Sequence, residues 1–138
     1  MGPRDFLFVL LAWIAAAWPG AAEAVDLLSC RSASGLECGA AGCERQDLHA
    51  TLTVDFGRKE IRYCAGERCY EARVAMVKAE DGGVSFAFDA KPEGGRRGGR
   101  VDRLVTIHPG RKASTVGSFL ADGTVLFSRL DCGEGAGE

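Results

Sequence analysis

From residue 48 onward apolar side chains fall at every second position. Leu48, Ala50, Leu52, Val54 and Phe56 share one face, and His49, Thr51, Thr53 and Asp55 share the other. A period of two is the mark of a half-buried strand. Gly57-Arg58-Lys59 reads as a turn, after which Ile61 and Tyr63 continue a short return strand to Cys64. Across Tyr70–Lys78 the alternation of Tyr70, Ala72, Val74 and Met76 competes with a helical stripe of Tyr70, Val74 and Val77. The hairpin signal Asp81-Gly82-Gly83 and the clean alternation of Val84, Phe86 and Phe88 behind it decide for strand, with 70–78 expected to pair with 84–89.

Residues 90–100 carry Pro92 and four glycines, which oppose both helix and central strand, so a flexible loop is expected there. Val101–Ile107, Thr115–Leu120 and Val125–Leu130 read as strands, separated by turns at Pro109-Gly110 and at Asp122-Gly123, the latter with the sequence of a type I′ hairpin. In the first of these strands Val101, Arg103, Val105 and Ile107 share a face with a charge in it, while Leu104, Leu126 and Leu130 fall on the opposite side. A bulge or two partly covered faces would account for that pattern. The expected fold is therefore all-β: a small antiparallel meander of about six to seven strands closed into a barrel or a sandwich and stapled by disulfides.

The start of the chain has a different pattern. A charged opening that includes Arg4 precedes the apolar run Phe6–Trp18, then Pro19-Gly20 and the small-residue site Ala22-Glu23-Ala24. These features predict a secretory signal peptide over 1–24, a β-domain over 25–132, and a disordered tail over 133–138. The apolar run is shorter than the roughly 20 residues that a membrane span needs. Leu27-Leu28-Ser29-Cys30 resembles a lipoprotein acylation site, but Glu23 and Asp26 place charge where such a signal is apolar. The expected location is periplasmic or secreted.

All six cysteines follow residue 24, an even set delivered to an oxidising compartment. Cys38/Cys43 and Cys64/Cys69 share one spacing, and the second pair brackets a hairpin turn that would set its side chains opposite each other. Local pairing of both leaves Cys30 with Cys132 to join the ends. Two Cys-x4-Cys knuckles are a poor zinc pattern for an exported chain, and no Cys-x-x-Cys redox motif or haem attachment site is present.

Without residues 1–24 the charge is −1, which excludes a global electrostatic pull toward nucleic acid. The positive charge is instead concentrated locally: Arg96, Arg97, Arg100, Arg103, Arg111 and Lys112 place six cations in seventeen residues, with glycines that let an anion approach the backbone closely. Candidate catalytic groups are sparse. His49 and His108 are the only imidazoles, no serine lies in a Gly-x-Ser-x-Gly elbow, and Asp47/Asp55 or Glu67/Glu71 come with no groove of aromatics. The sequence thus points to a noncatalytic, monomeric, cofactor-free binding module of unknown ligand, with an anion at the arginine-rich loop as the candidate. The rival expectation is an interaction protein or hydrolase inhibitor acting through the disulfide-fixed turn Ala65–Arg68.

Overall fold

The computed structural model describes residues 26–89 and 102–134. The expected signal peptide, the arginine- and glycine-rich segment 90–100 and residues 135–138 lie outside the described residues. Ten antiparallel strands run in chain order: β1 (Leu27–Gly39), β2 (Gly42–Arg45), β3 (Ala50–Asp55), β4 (Glu60–Ala65), β5 (Arg68–Arg73), β6 (Val77–Lys78), β7 (Val84–Asp89), β8 (Asp102–Ile107), β9 (Ala113–Phe119) and β10 (Val125–Glu134). Their order in the sheet is β5-β4-β3-β1-β10-β9-β8-β7-β6, with β2 attached to the far half of β1.

The two ends of this sheet, β5 and β6, are neighbours in the chain, joined only by Val74, Ala75 and Met76. Fully extended, that link reaches about 14 Å. The sheet must therefore curl toward closure, giving a barrel-like half-barrel with a seam between β5 and the β6–β7 hairpin that no described strand pairing closes. At the lower end of the seam Val74 is buried, and Met76 packs against the core beside it.

One face of the curled sheet forms the core. Leu52, Val54, Val105, Ile107 and Leu130 are fully enclosed, joined by Leu28, Ile61, Tyr63, Phe86, Phe88 and Val116. The outer face has one apolar band, where Leu36, Phe127, Gly117 and Leu104 occupy a single register row across four strands, and Phe119 on β9 and Val77 on β6 are also exposed. Alternation produces both faces at once, as a half-buried sheet requires.

All-β class, antiparallel pairing and barrel-like curl agree with the sequence reading, but several details are corrected. The strands number ten rather than six or seven. The main omission was β1, whose alternation breaks where the register shifts between Ser32 and Ser34. That bulge moves the inward position from Ser32 to Gly35, so no long apolar stripe is written into the sequence. The expected pairing of 70–78 with 84–89 reduces to Val77 and Lys78, because Arg68–Arg73 turns back onto β4 instead.

The turn before β10 is not type I′. The Gly123 amide donates to the Leu120 carbonyl and Gly123 alone has a positive φ, which is a type I turn closed by a glycine bulge. The same arrangement closes Ala79–Gly83. Gly133 and Glu134, expected in the tail, pair with Ser29 and Leu28.

The three disulfides join Cys30 to Cys132, Cys38 to Cys43 and Cys64 to Cys69. Each links register partners on adjacent strands. Cys30, thus bonded and buried, is no longer an acylation site. Three intramolecular disulfides suit an oxidising extracytoplasmic compartment, and no helix among the described residues is long and apolar enough to cross a membrane.

The bridges should differ in weight. Replacing Cys30 and Cys132 by serine opens a loop of 102 residues and should cost about 4–5 kcal/mol, against about 2 kcal/mol for Cys64 and Cys69 in the chain-entropy account. Denaturant unfolding of the two double variants measures the difference.

Candidate functional site

Of the six cations expected from sequence, the three that are described do not form one cluster. Arg96, Arg97 and Arg100 lie outside the described residues. Arg103 and Arg111 are separated by the length of β8, at opposite ends of the barrel. Arg111 follows a type II turn, in which Gly110 takes the positive φ of 78°. Its guanidinium bonds Asp26 at 2.6 Å and covers the Phe56 ring at 4.0 Å. Arg111 thus fastens the lower end of the barrel, and Lys112 stands exposed beside it.

Arg103 is placed quite differently. As the second residue of β8 its side chain points inward, in step with Val105 and Ile107, and only 9% of it is exposed. The guanidinium lies between two tyrosine rings across the upper seam, 4.9 Å from the centre of Tyr63 on β4 and 4.7 Å from that of Tyr70 on β5. Phe88 on β7 completes the aromatic wall, its ring 6.0 Å from that of Tyr63. Cation–π attraction strengthens as water is removed, so this cluster holds together edges that no backbone hydrogen bond joins.

The charge itself is incompletely matched. Arg103 Nε donates to Ser118 Oγ at 3.1 Å. Nη1 is enclosed and finds no acceptor. Among the described residues no carboxylate lies within ion-pair distance of Arg103. The upper barrel thus encloses the Arg103 charge among aromatic rings. Burying a charge without an ionic partner opposes folding, and the aromatic faces offset only part of that cost.

The same surroundings act on Tyr63. Burial pushes its phenol above the ordinary range, against the opposing pull of the Arg103 charge.

Among the described residues the catalytic candidates fall at separate places. Ser32, Ser34, Asp47 and His49 line one shallow cleft beside the β1 bulge. Ser32 Oγ, however, accepts from the Ala50 amide, and no hydrogen bond joins these four side chains to one another among the described residues. The His108 ring bonds Thr115 Oγ1 at 2.9 Å at the lower rim. Glu71 faces Arg62 on the outer surface, inside a depression of about 450 Å3 that also contains the ion pair of Arg73 with Glu60. Opposite charges there already satisfy each other.

No protein family, curated protein or solved structure matches the chain. The Arg103 site is defined by its own residues. Its aromatic members, Tyr63, Tyr70 and Phe88, appear in the sequence as ordinary inward strand positions. The available signal was Arg103, a charge on the apolar face of a strand, facing a β9 whose inward positions include two serines.

The tyrosine is directly testable. In a Tyr70→Phe variant the one remaining phenol, Tyr63, should titrate above the ordinary value of about 10. Combining it with Arg103→Gln should move the midpoint further up, because the lowering charge is gone. With the folded-state value raised, stability should be level below about pH 10 and fall as the pH rises beyond it. Ultraviolet titration and alkaline unfolding read the two effects.

Proposed function

We propose that the protein is an exported, noncatalytic binding module whose ligand presents a carboxylate to Arg103 at the upper seam. The observation that carries this reading is the enclosed guanidinium edge with no acceptor. Native interiors rarely leave such a group unsatisfied, and a carboxylate supplies both opposite charge and the two oxygens that match a guanidinium fork. Charge-assisted hydrogen bonds are about twice as strong as neutral ones, and stronger still where water is excluded.

Nη1 is enclosed, so entry requires a wall to move. Tyr70 is that wall: it sits on an edge strand and is only partly buried, whereas Tyr63 belongs to the core. The reading keeps the anionic ligand expected from sequence but moves its centre from the arginine-rich loop to a buried site. The turn Gly66-Glu67, fixed by the Cys64–Cys69 bridge, leads directly into β5 and stands at the rim of this seam. The interaction-protein reading therefore converges on the same place.

Titration of the protein with acetate and with glutarate, followed by amide chemical shifts, tests the proposal. Saturable shifts should centre on Arg103, Ser118 and Tyr70. Arg103→Lys retains the charge but loses the fork, and should bind about tenfold more weakly or worse, equivalent to one charge-assisted hydrogen bond. Arg111→Ser, at the far end, should leave binding unchanged. Absence of saturable shifts, or equal binding by Arg103→Lys, would remove Arg103 as the site.

A further inference from the structure

We infer that the carboxylate reaching Arg103 is the side chain of an extended peptide, which adds as a strand in the upper seam between β5 and β7; this rests on the reading of Arg103 as a carboxylate site. The seam is a slot with two unpaired lips. β5 pairs with β4 on one side and with no described strand on the other. β7 has β6 beside it only at Val84 and Ser85, because β6 is two residues long. From Phe86 to Asp89 no described strand lies along that edge.

The backbone groups on the β5 lip point into the slot at alternate residues. In an antiparallel pair, residues whose Cα atoms approach most closely are the non-hydrogen-bonded partners, and their N–H and C=O groups point away from the neighbouring strand. Cys64 and Cys69 are such a pair, with Cα atoms 4.0 Å apart. The bond from the Val74 amide to the Lys59 carbonyl at 2.8 Å fixes the same phase from the other end, since Val74 must then face β4. Counting by two from both ends, Cys69 and Glu71 present free donors and acceptors to the seam. No proline interrupts β5, so the edge lacks one of the usual guards against strand addition.

The side-chain chemistry selects the occupant. Tyr70 on one lip and Phe88 on the other both point inward, and Arg103 lies beside Tyr70 and pairs in register with Phe88. A strand seated between the lips alternates its side chains inward and outward. Its inward residue at this level meets the guanidinium. An apolar residue would leave Nη1 without an acceptor, and a basic one would be repelled. Aspartate or glutamate supplies the missing acceptor while the peptide backbone satisfies both lips, the combination of main-chain affinity and side-chain selection typical of strand addition. The free stretch of β7 spans four residues, which suits a segment of about five.

The probe is the blocked pentapeptide Val-Thr-Glu-Thr-Val, with valines and the glutamate on one face. It should bind at least about tenfold more tightly than acetate, because backbone pairing adds to the carboxylate contact. Replacing its glutamate by glutamine, or N-methylating both threonines, should each weaken it at least about tenfold. Glu71→Pro removes a lip donor at an exposed edge position where proline is tolerated; it should abolish peptide binding and spare acetate binding. Arg103→Gln should lose both ligands, and its melting temperature reports whether it folds. If acetate binds through Arg103 but the peptide is no tighter, or N-methylation and Glu71→Pro have no effect, strand addition is wrong and the carboxylate site stands. If neither ligand binds, both fail.

Discussion

The structure depends on one topological constraint. The two edge strands of the sheet, β5 and β6, are consecutive in the chain and separated by three residues. A sheet of nine strands in series cannot lie flat and satisfy that link, so curvature is imposed covalently, and the interior it creates receives every inward apolar residue. The Cys30–Cys132 bridge acts on the diametrically different part of the ring, between the first and last strands. Chain connectivity and disulfide together confine both places where a curled sheet would otherwise splay.

Closure is unequal along the seam. Below, Val74 and Met76 fill the gap with apolar side chains from the link itself. Above, where β6 has ended, Arg103 reaches across between Tyr63 and Tyr70. An apolar plug would have closed the barrel more cheaply, since a buried charge with an unsatisfied edge opposes folding. Among the described residues two buried side-chain atoms lack a partner, Arg103 Nη1 in the upper seam and Ser114 Oγ lower on β9, and of these only the guanidinium carries a charge, the kind of departure from good packing that binding sites tolerate.

Clean alternation made β3, β4, β7 and the last three strands legible, and glycine placed their turns. Cysteine spacing gave the three bridges, because short loops and facing hairpin positions leave few alternatives. β1 was illegible for a definite reason: its inward positions include Ser32 and Gly35, and a bulge shifts the phase between them. The hairpin of β5 with β4 followed from the Cys64/Cys69 spacing, but the expected pairing of β5 with β7 is not formed, because local alternation says that a strand exists and not which second neighbour it joins. For the site, residue density did not tell the described cations apart. A run of arginines suggests a common surface, yet the alternation of β8 sends Arg103 into the core while the turn beyond Ile107 carries Arg111 to Asp26. The inward charge in the apolar face of β8 is what sets Arg103 apart from the other cations.

Native-state hydrogen exchange along β5 tests the open seam most directly. With one edge paired to β4 and the other free, the amides of Tyr70 and Ala72 should exchange slowly, while those of Cys69 and Glu71 exchange fast. Uniformly slow exchange at all four residues would mean that the upper edge is already occupied by another strand, and the account of an open, Arg103-centred seam would be contradicted.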